Sequence, residues 1–412
     1  MSSTNRCKET ILVTDAGRGS AIAIIRSLGR SGYRVLAADC QRDSLGFHSR
    51  YMTKSFVHPD PRHDPVGFLN AIEKIVDAEV VDLIIPVTDL AMQPLAAERE
   101  RFAGKTQLAI PADEALRVTT DKDLTLALAA SLEIPVSPTR VVETLAAAQE
   151  AAAEWGWPLV VKPGSSHKMN GDDGIESFEV TYAESARDLE HKLERFVGRC
   201  SILLQRYCRG VGVGIELLMS EGRPLAAFAH QRRREIPLSG GASAYRESIP
   251  LDPELYSYAV RILGALNWTG LAMVEFKVGE RIELMEINGR VWGSLPLAVA
   301  SGMDFPTLLA RLYLDGDTTV EPQIRGGYDY GVRARDLQRD LLWIASVMTR
   351  KRRYHFFPMP SRARAVSALL GILNPRRRHD MLTWDDPLPG ILELPRIVPR
   401  LWEKFVRTRK AA

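Results

Sequence analysis

The chain has 412 residues, 45% hydrophobic and 25% charged, the composition of a globular protein with material for two or three domains. Its longest apolar runs, such as Leu341 to Met348 with Ser346 inside it, fall far short of a bilayer span, and the polar opening Met1 to Thr10 does not read as a secretory signal, so a cytoplasmic protein is expected. The net charge of +3 hides an asymmetry: residues 331–412 carry 18 Lys and Arg against 7 Asp and Glu, an excess of 11, and the rest of the chain is acidic.

Residues 10–115 alternate β-branched runs with helix-like segments. Ile11-Leu12-Val13 reads as a strand, Ala21 to Ser31 as a helix and Tyr33 to Ala38 as a strand ending at Asp39. Gly67 to Ala78 reads as a helix and Val80 to Pro86 as a third strand. Such alternation implies parallel βαβ units, and nearly continuous apolar strands fit a sheet covered on both faces. The turn Thr14 to Ser20, with Asp39 twenty residues beyond Gly19, resembles a dinucleotide fingerprint, but Ile22 stands where the third glycine belongs. A tight strand-to-helix turn needs glycine with or without a nucleotide, so a structural turn is the favoured reading. An NAD(P)-dependent oxidoreductase would rest on Gly17, Gly19 and Asp39.

The pattern changes at Asp113. Asp121-Lys122 opens a helix through Ala130, Ile134 to Thr139 is an extended Pro-bearing link, and Leu145 to Trp155 is an Ala-rich helix. Pro158 to Val161 is a strand running through Lys162 into the glycine- and serine-rich loop Pro163 to Gly174. Backbone N–H groups and hydroxyls of such a loop can close over phosphates, with the lysine as a point charge; an ordinary surface loop explains the same residues. Ser185 to Val197 reads as a helix, and Ser201 to Tyr207 and Gly214 to Met219 as strands. A β-rich stretch runs to about Asn288, with helices from Leu295. The cysteines Cys7, Cys40, Cys200 and Cys208 have no CxxC spacing, which argues for free thiols.

The most informative residues are Glu275, Glu286, Asn288 and Arg290. Leu271 to Val278 and Ile282 to Asn288 read as two strands joined by a two-residue turn at Glu280-Arg281, which sets Glu275 opposite Glu286 with Cβ atoms about 5 Å apart. Opposed carboxylates repel unless a cation lies between them. Hard oxygen ligands of this kind suit Mg²⁺, which takes one or two carboxylates plus phosphate oxygens. Asn288 shares the face of Glu286, and Arg290 can grip a phosphate or carboxylate in bidentate fashion. Leu284 is expected on that face too, and a one-residue slip would separate the carboxylates. Upstream, His230-Gln231-Arg232-Arg233-Arg234 and Arg246 offer cations to a carboxylate substrate, or a basic strand edge that resists aggregation; Arg232 and Arg234 are expected to share a face. Ser239 to Ser243 could add backbone donors for the same carboxylate.

Together, Asp121-Lys122, Val160-Val161-Lys162-Pro163, Leu204-Gln205-Arg206-Tyr207, Val274-Glu275-Phe276 and Met285-Glu286-Ile287-Asn288-Gly289-Arg290 resemble the ATP-grasp superfamily, over roughly residues 10–315. The resemblance implies an α/β and α+β architecture. It has a Rossmann-like domain over 1–115, which in this family generally binds no dinucleotide, a small lobe over 116–203, a large lobe with the metal site over 204–325, and a partly helical basic extension over 326–412. It implies ATP with Mg²⁺ or Mn²⁺, and a carboxylate–amine ligase working through an acyl phosphate. Lys122 and Lys162 would then contact the nucleotide. Gln205, Arg206, Tyr207 and Cys208 would form the adenine hinge, where the family commonly begins with Glu rather than Gln205. Glu275, Glu286 and Asn288 would hold the metal, and Arg290 and Lys162 would serve the transferred phosphoryl group. An ATP-grasp kinase or carboxylase would share every ATP-side residue. The expected partners are a small-molecule carboxylate and an amine, with a homodimer compatible. The extension's Arg350 to Arg353 and Arg376 to Arg378, interleaved with aromatics, would suit an anionic membrane surface or an acidic partner. Nucleic acid is not expected, because no recognition motif is present.

Overall fold

Apolar runs near the N-terminus pair in parallel. The computed structural model describes residues 9–163, 167–169, 175–177, 181–194, 202–324, 326–349 and 355–410. Strands β1 (Thr10–Val13), β2 (Arg34–Asp39), β3 (Lys54–Val57), β4 (Leu83–Ile85) and β5 (Gln107–Leu108) form a sheet in the order β3-β2-β1-β4-β5, parallel throughout. Side chains of β1 alternate between two cores. Ile11 and Val13 pack with helix α1 (Gly19–Arg30), and Leu12 packs with α2 (Pro65–Glu79) and α3 (Asp89–Ala97). Strand β3 escapes sequence reading because it is a mostly exposed edge strand, Lys-Ser-Phe-Val, with no apolar run.

The glycine turn before α1 is closed by the protein itself. The Asp39 carboxylate accepts the Gly17 N–H (2.7 Å), the Gln41 N–H (3.0 Å) and the Ser44 hydroxyl (2.8 Å). These three bonds close the turn, as the reading of a structural turn expects.

Helices α4 (Asp113–Thr120) and α5 (Lys122–Ser131) meet at Asp121, which ends the first and caps the second by accepting from the Asp123 and Leu124 N–H groups. A second, antiparallel sheet contains β6 (Thr139–Val142) and β7 (Leu159–Pro163). The ribbon of β8 (His167–Met169) and β9 (Ile175–Ser177) follows, and then β10 (Thr181–Ala183) and β11 (Ile202–Arg206), giving the sheet order β10-β7-β11-β6. Val142, Leu159, Val161, Ile202 and Leu204 face helices α6 (Leu145–Trp155) and α7 (Ala186–Leu193). Register puts Thr139, Val141, Val160, Lys162, Leu203 and Gln205 on the opposite face. Within the expected phosphate loop Pro163 to Gly174, residues 164–166 and 170–174 lie outside the described residues.

The third sheet is the largest. It contains β12 (Gly210–Ser220), β13 (Arg223–Ile236), β14 (Ala242–Ser248), β15 (Gly270–Gly279) and β16 (Ile282–Asn288). Two strands from the C-terminal region, β17 (Arg333–Arg335) and β18 (Arg378–His379), complete the order β16-β15-β12-β13-β14-β17-β18. One face packs on α8 (Pro253–Ala265) through Ile215, Val274 and Ile287. Part of the other joins α9 (Leu295–Ala300), α10 (Phe305–Asp315) and α1 through Leu218, Phe228 and Met273 in a core shared with the first sheet. The C-terminal region adds α11 (Leu337–Thr349), α12 (Arg362–Leu370) and α13 (Leu388–Lys410). Among the described residues no helix is long and apolar enough to cross a membrane.

Two expectations about the strands need correction. The β15–β16 turn is one residue longer than expected: Val278, not Gly279, stands opposite Ile282. A register shift at Met285 then restores Glu275 opposite Glu286. That bulge also moves Leu284 off the carboxylate face and into the core beside Ile287. On β13, register shifts around Arg233 separate the paths of Arg232 and Arg234, which were expected to run together.

Candidate nucleotide and metal site

Strand β12 begins Gly210-Val211-Gly212-Val213-Gly214, so alternate positions on one face carry no side chain. A Cβ at Gly214 would sit 2.5 Å from His230 Cε1, and one at Gly212 would sit 2.9 Å from Arg232 Cδ. The glycines make a floor over which the β13 side chains lie, and the Arg232 guanidinium pairs with Glu275 on β15.

On that floor the acidic pair stands as the register dictates. Asn288 Nδ2 donates to Glu275 Oε1 (3.1 Å) and to Glu286 Oε1 (3.3 Å), linking the two carboxylates. Glu275 is buried, and burial raises its carboxyl to about 7; Arg232 opposes the rise and Glu286 adds to it. Arg232 also reaches Glu235 (3.3 Å), which in turn accepts from Lys277 (3.4 Å). Charges therefore alternate in sign across the sheet. Among the described residues no three His, Cys, Asp or Glu side chains converge as a metal cage. Two carboxylates and an amide oxygen nonetheless fit an ion that completes its shell with phosphate and water, as Mg²⁺ does. Arg232 is the cation paired with Glu275, and the neutral Asn288 amide donates to both carboxylates.

The second sheet presents its lysine toward this pair. Lys162 Nζ donates to Gln205 Oε1 (2.7 Å), and Gln205 Nε2 donates to Thr139 Oγ1 (2.9 Å). Burial pushes the Lys162 ammonium down to about 8; the Lys122 charge adds to the fall, and Glu286 opposes it. Gln205 offers Lys162 an oxygen without a negative charge, so it does not restore the lost basicity. Lys122 lines a cleft of about 360 Å³ with Arg117, Thr120, Val141 and Leu203, where the junction of α4 and α5 meets the open face of the second sheet.

Of the expected hinge residues, Arg206 donates its backbone N–H to Pro138 (3.0 Å) and its guanidinium to Glu283 (3.0 Å). Cys208 lies beside the same carboxylate; burial and that neighbour push its thiol up to about 12, so it is no nucleophile. The Tyr207 ring packs edge-on against Tyr182 (5.8 Å) and Phe356 (4.7 Å). Glu283 was not anticipated, because the bulge that turns it toward Arg206 has no signature in the sequence.

Arg290 leaves the pair sideways: Nε donates to Asp89 at the start of α3 (2.9 Å), and Nη1 to the Val291 carbonyl (2.9 Å). The turn before it is tight, since a Cβ on Gly289 would meet Trp268 Cη2 at 2.6 Å. Arg233 and Arg234 turn elsewhere, Arg233 to Glu247 and Arg234 in bidentate contact with Asp340 (2.6 and 2.8 Å) beneath Tyr245. Of the three consecutive arginines, only Arg232 faces the acidic pair.

Beyond Glu275 the floor continues into a cluster of buried polar side chains. His230 Nδ1 lies 3.0 Å from Glu216 Oε1, which also accepts from the Ser294 hydroxyl (2.9 Å). Arg246 Nη2 reaches Asp380 (2.5 Å) and the Gly293 carbonyl (3.4 Å). His230 Nε2, Glu216 Oε2, Arg246 Nε and Asp380 Oδ1 are buried with no hydrogen-bond partner among the described residues. Groups left in this condition ask for water or a polar ligand.

The fold has known counterparts. Residues 199–335 match the family described as ATP-grasp in the biosynthetic pathway with Ter operon. The chain superposes on the biotin carboxylase domain of Hydrogenobacter thermophilus 2-oxoglutarate carboxylase, solved with MgADP and bicarbonate. The TM-score is 0.58, with 17% identity over 80% of this chain and 74% of that one. It also superposes on N5-carboxyaminoimidazole synthetase of Staphylococcus aureus, with a TM-score of 0.57 and 15% identity over 77% and 80%. The chain therefore has the ATP-grasp fold. In sequence it is similar to formate-dependent phosphoribosylglycinamide formyltransferases. The Proteus mirabilis protein is 30% identical over 175 residues, 41% of this chain and 42% of that one. The Xanthomonas oryzae pv. oryzae protein is 31% identical over 169 residues, 40% and 39%. The chain thus spans about two-fifths of the length of these relatives.

Proposed function

We propose that the chain is an ATP-dependent carboxylate–amine ligase. The reading is carried by one observation above the others: Glu275 stands opposite Glu286, and Asn288 bridges them, within electrostatic reach of Lys162. Mg²⁺, or Mn²⁺ in its place, would be held by Glu275, Glu286 and Asn288 and would neutralise charge on the phosphates. The nucleotide would lie between the open face of the second sheet and this hairpin, with Lys122 and Lys162 on its phosphates and Gln205 to Cys208 at its base. A substrate carboxylate oxygen attacks the γ-phosphorus, the bond to the β,γ-bridging oxygen breaks, and ADP departs. The amine then attacks the acyl carbon, phosphate leaves, and the amine gives up a proton. Lys162 would hold phosphoryl oxygens in place, Arg290 would join it only by exchanging its Asp89 contact for the phosphoryl group, and positioning with charge stabilisation does most of the work. Arg246 and His230, each with a nitrogen lacking a partner, would receive the substrate carboxylate.

The proposed division is a Rossmann-like unit over 1–115, lobes over 116–203 and 204–325, and a basic extension over 326–412. It is supported by one sheet in each of the first three units, although the 203/204 boundary falls within β11 of the second sheet, and the extension lends its two strands to the third sheet. An ADP-release screen over pairs of carboxylates and amines tests the activity. Release that needs both members of a pair is expected. Release with bicarbonate as the carboxyl source would point to a carboxylase, and release with a hydroxyl acceptor alone to a kinase.

A further inference from the structure

The C-terminal extension sorts its charges by direction. Its acids Asp340, Asp380 and Asp386 are each at most 7% exposed and pair with Arg234, Arg246 and Arg26 of other segments, Asp340 also with the extension's own buried Arg335. Arg26 alone makes four hydrogen bonds to the 380–386 loop. The extension's own Arg362, Arg364, Arg376 and Arg378 are exposed, and none makes an ion pair among the described residues. These four arginines are turned outward, whereas Arg333, Arg335, Arg339 and Arg396 of the same region are paired.

Apolar side chains accompany them. Ten of the nineteen exposed large apolar residues among those described lie between positions 366 and 398, including Leu370 (70% exposed), Leu373 (85%) and Trp384 (95%). On α13, Leu388, Ile391, Leu394 and Val398 recur at three- and four-residue spacing and line one exposed face. The opposite face, with Gly390, Glu393 and Ile397, is buried, and Arg396 pairs with Asp43 of the N-terminal unit (3.0 Å). The helix is thus held by one side and bare on the other. Its continuation to Lys410 adds Arg400, Lys404, Arg407, Arg409 and Lys410 in sequence.

We propose that the exposed basic and apolar side chains of the extension dock on an anionic lipid bilayer surface. An acidic protein or nucleic acid would engage the arginines but leave Leu373 and Trp384 in water, whereas a bilayer interface takes both. Its headgroups attract Lys and Arg, tryptophan favours that depth, and an amphipathic helix lies flat in it. The 380–386 loop is tied to α1 through Arg26 and to β14 through Arg246, so the docking segment is anchored to the body of the protein.

Flotation of the full chain with vesicles tests the proposal. Binding is expected to vesicles containing about a quarter phosphatidylglycerol, and at least about tenfold less to pure phosphatidylcholine or in high salt. Arg362→Glu, Arg364→Glu, Arg376→Glu and Arg378→Glu together should lower binding to anionic vesicles at least about tenfold. Trp384→Ser with Leu373→Ser should weaken it with the charges intact. Circular dichroism and ATP binding, unchanged in both variants, would show that the fold survives. Equal binding to neutral and anionic vesicles, or no binding to either, overturns the proposal. So does dimerisation in sedimentation velocity that Trp384→Ser with Leu373→Ser abolishes without any lipid binding, since a second copy would then be the occupant.

Discussion

Lys162 illustrates how a single side chain can be tuned for anion binding by what surrounds it. Its ammonium is pushed down to about 8 by burial and by Lys122, and Gln205 gives it a neutral oxygen. Below that value the group is a cation facing the acidic pair; above it the charge is lost. ATP affinity of the free protein should therefore fall as pH rises from 7 to 9, by up to about tenfold if one charge is at stake. Lys162→Met should bind ATP weakly at both ends, with no slope, and isothermal titration at several pH values would read this. Stability has the opposite sign in its own window. Between about 8 and the ordinary 10.5 the unfolded chain keeps a proton that the folded chain has released, so this group makes stability rise with pH there.

At the scale of elements, the site is a consequence of β12 being bare. Gly214→Ala should drive a methyl into His230 and Met273 and destabilise the chain by about 1–3 kcal/mol, read as a lowered urea midpoint. Val211→Ala, at an exposed position of the same strand, should cost under about 0.5 kcal/mol. The same strands show what was legible in advance. Asn288 could be placed beside Glu286 by period-two alternation, but Glu275 was set opposite Glu286 by a turn one residue too short, and the pairing survives because the bulge at Met285 cancels the longer turn. That bulge could not be read in advance, since one extra residue in a strand leaves no compositional trace, and with it went the face of Leu284 and the role of Glu283. The bulge around Arg233 hid the divergence of Arg232 and Arg234 for the same reason. Alternate glycines at 210, 212 and 214 were in plain view, and are the signal by which the floor and its neighbours His230 and Glu216 could have been found. Helices with clear caps were the easiest elements: Leu145 to Trp155 matches α6, where Thr144 accepts the Ala147 N–H.

Over the whole molecule, the basic composition of the C-terminal region suggested an appendage, yet the region is built into the body. It supplies two strands of the largest sheet and sends Asp386 to Arg26 on α1 at 2.8 Å, with both side chains almost fully buried. Long-range pairing of this kind cannot be seen in composition. Asp386→Ala would leave Arg26 buried without its carboxylate and should cost about 3–5 kcal/mol, lowering the melting temperature of the whole chain. The account depends most on the meeting of two sheets, with Lys162 on one and the Glu275–Glu286 hairpin on the other closing on Mg²⁺ and the phosphates of ATP. Equilibrium ATP binding with and without Mg²⁺, to wild type and to Glu286→Gln, examines that meeting directly. Wild type should gain at least about tenfold in affinity from Mg²⁺, and Glu286→Gln should lose that gain while metal-free binding stays within a few-fold. A Glu286→Gln protein that keeps the full Mg²⁺ enhancement would contradict it.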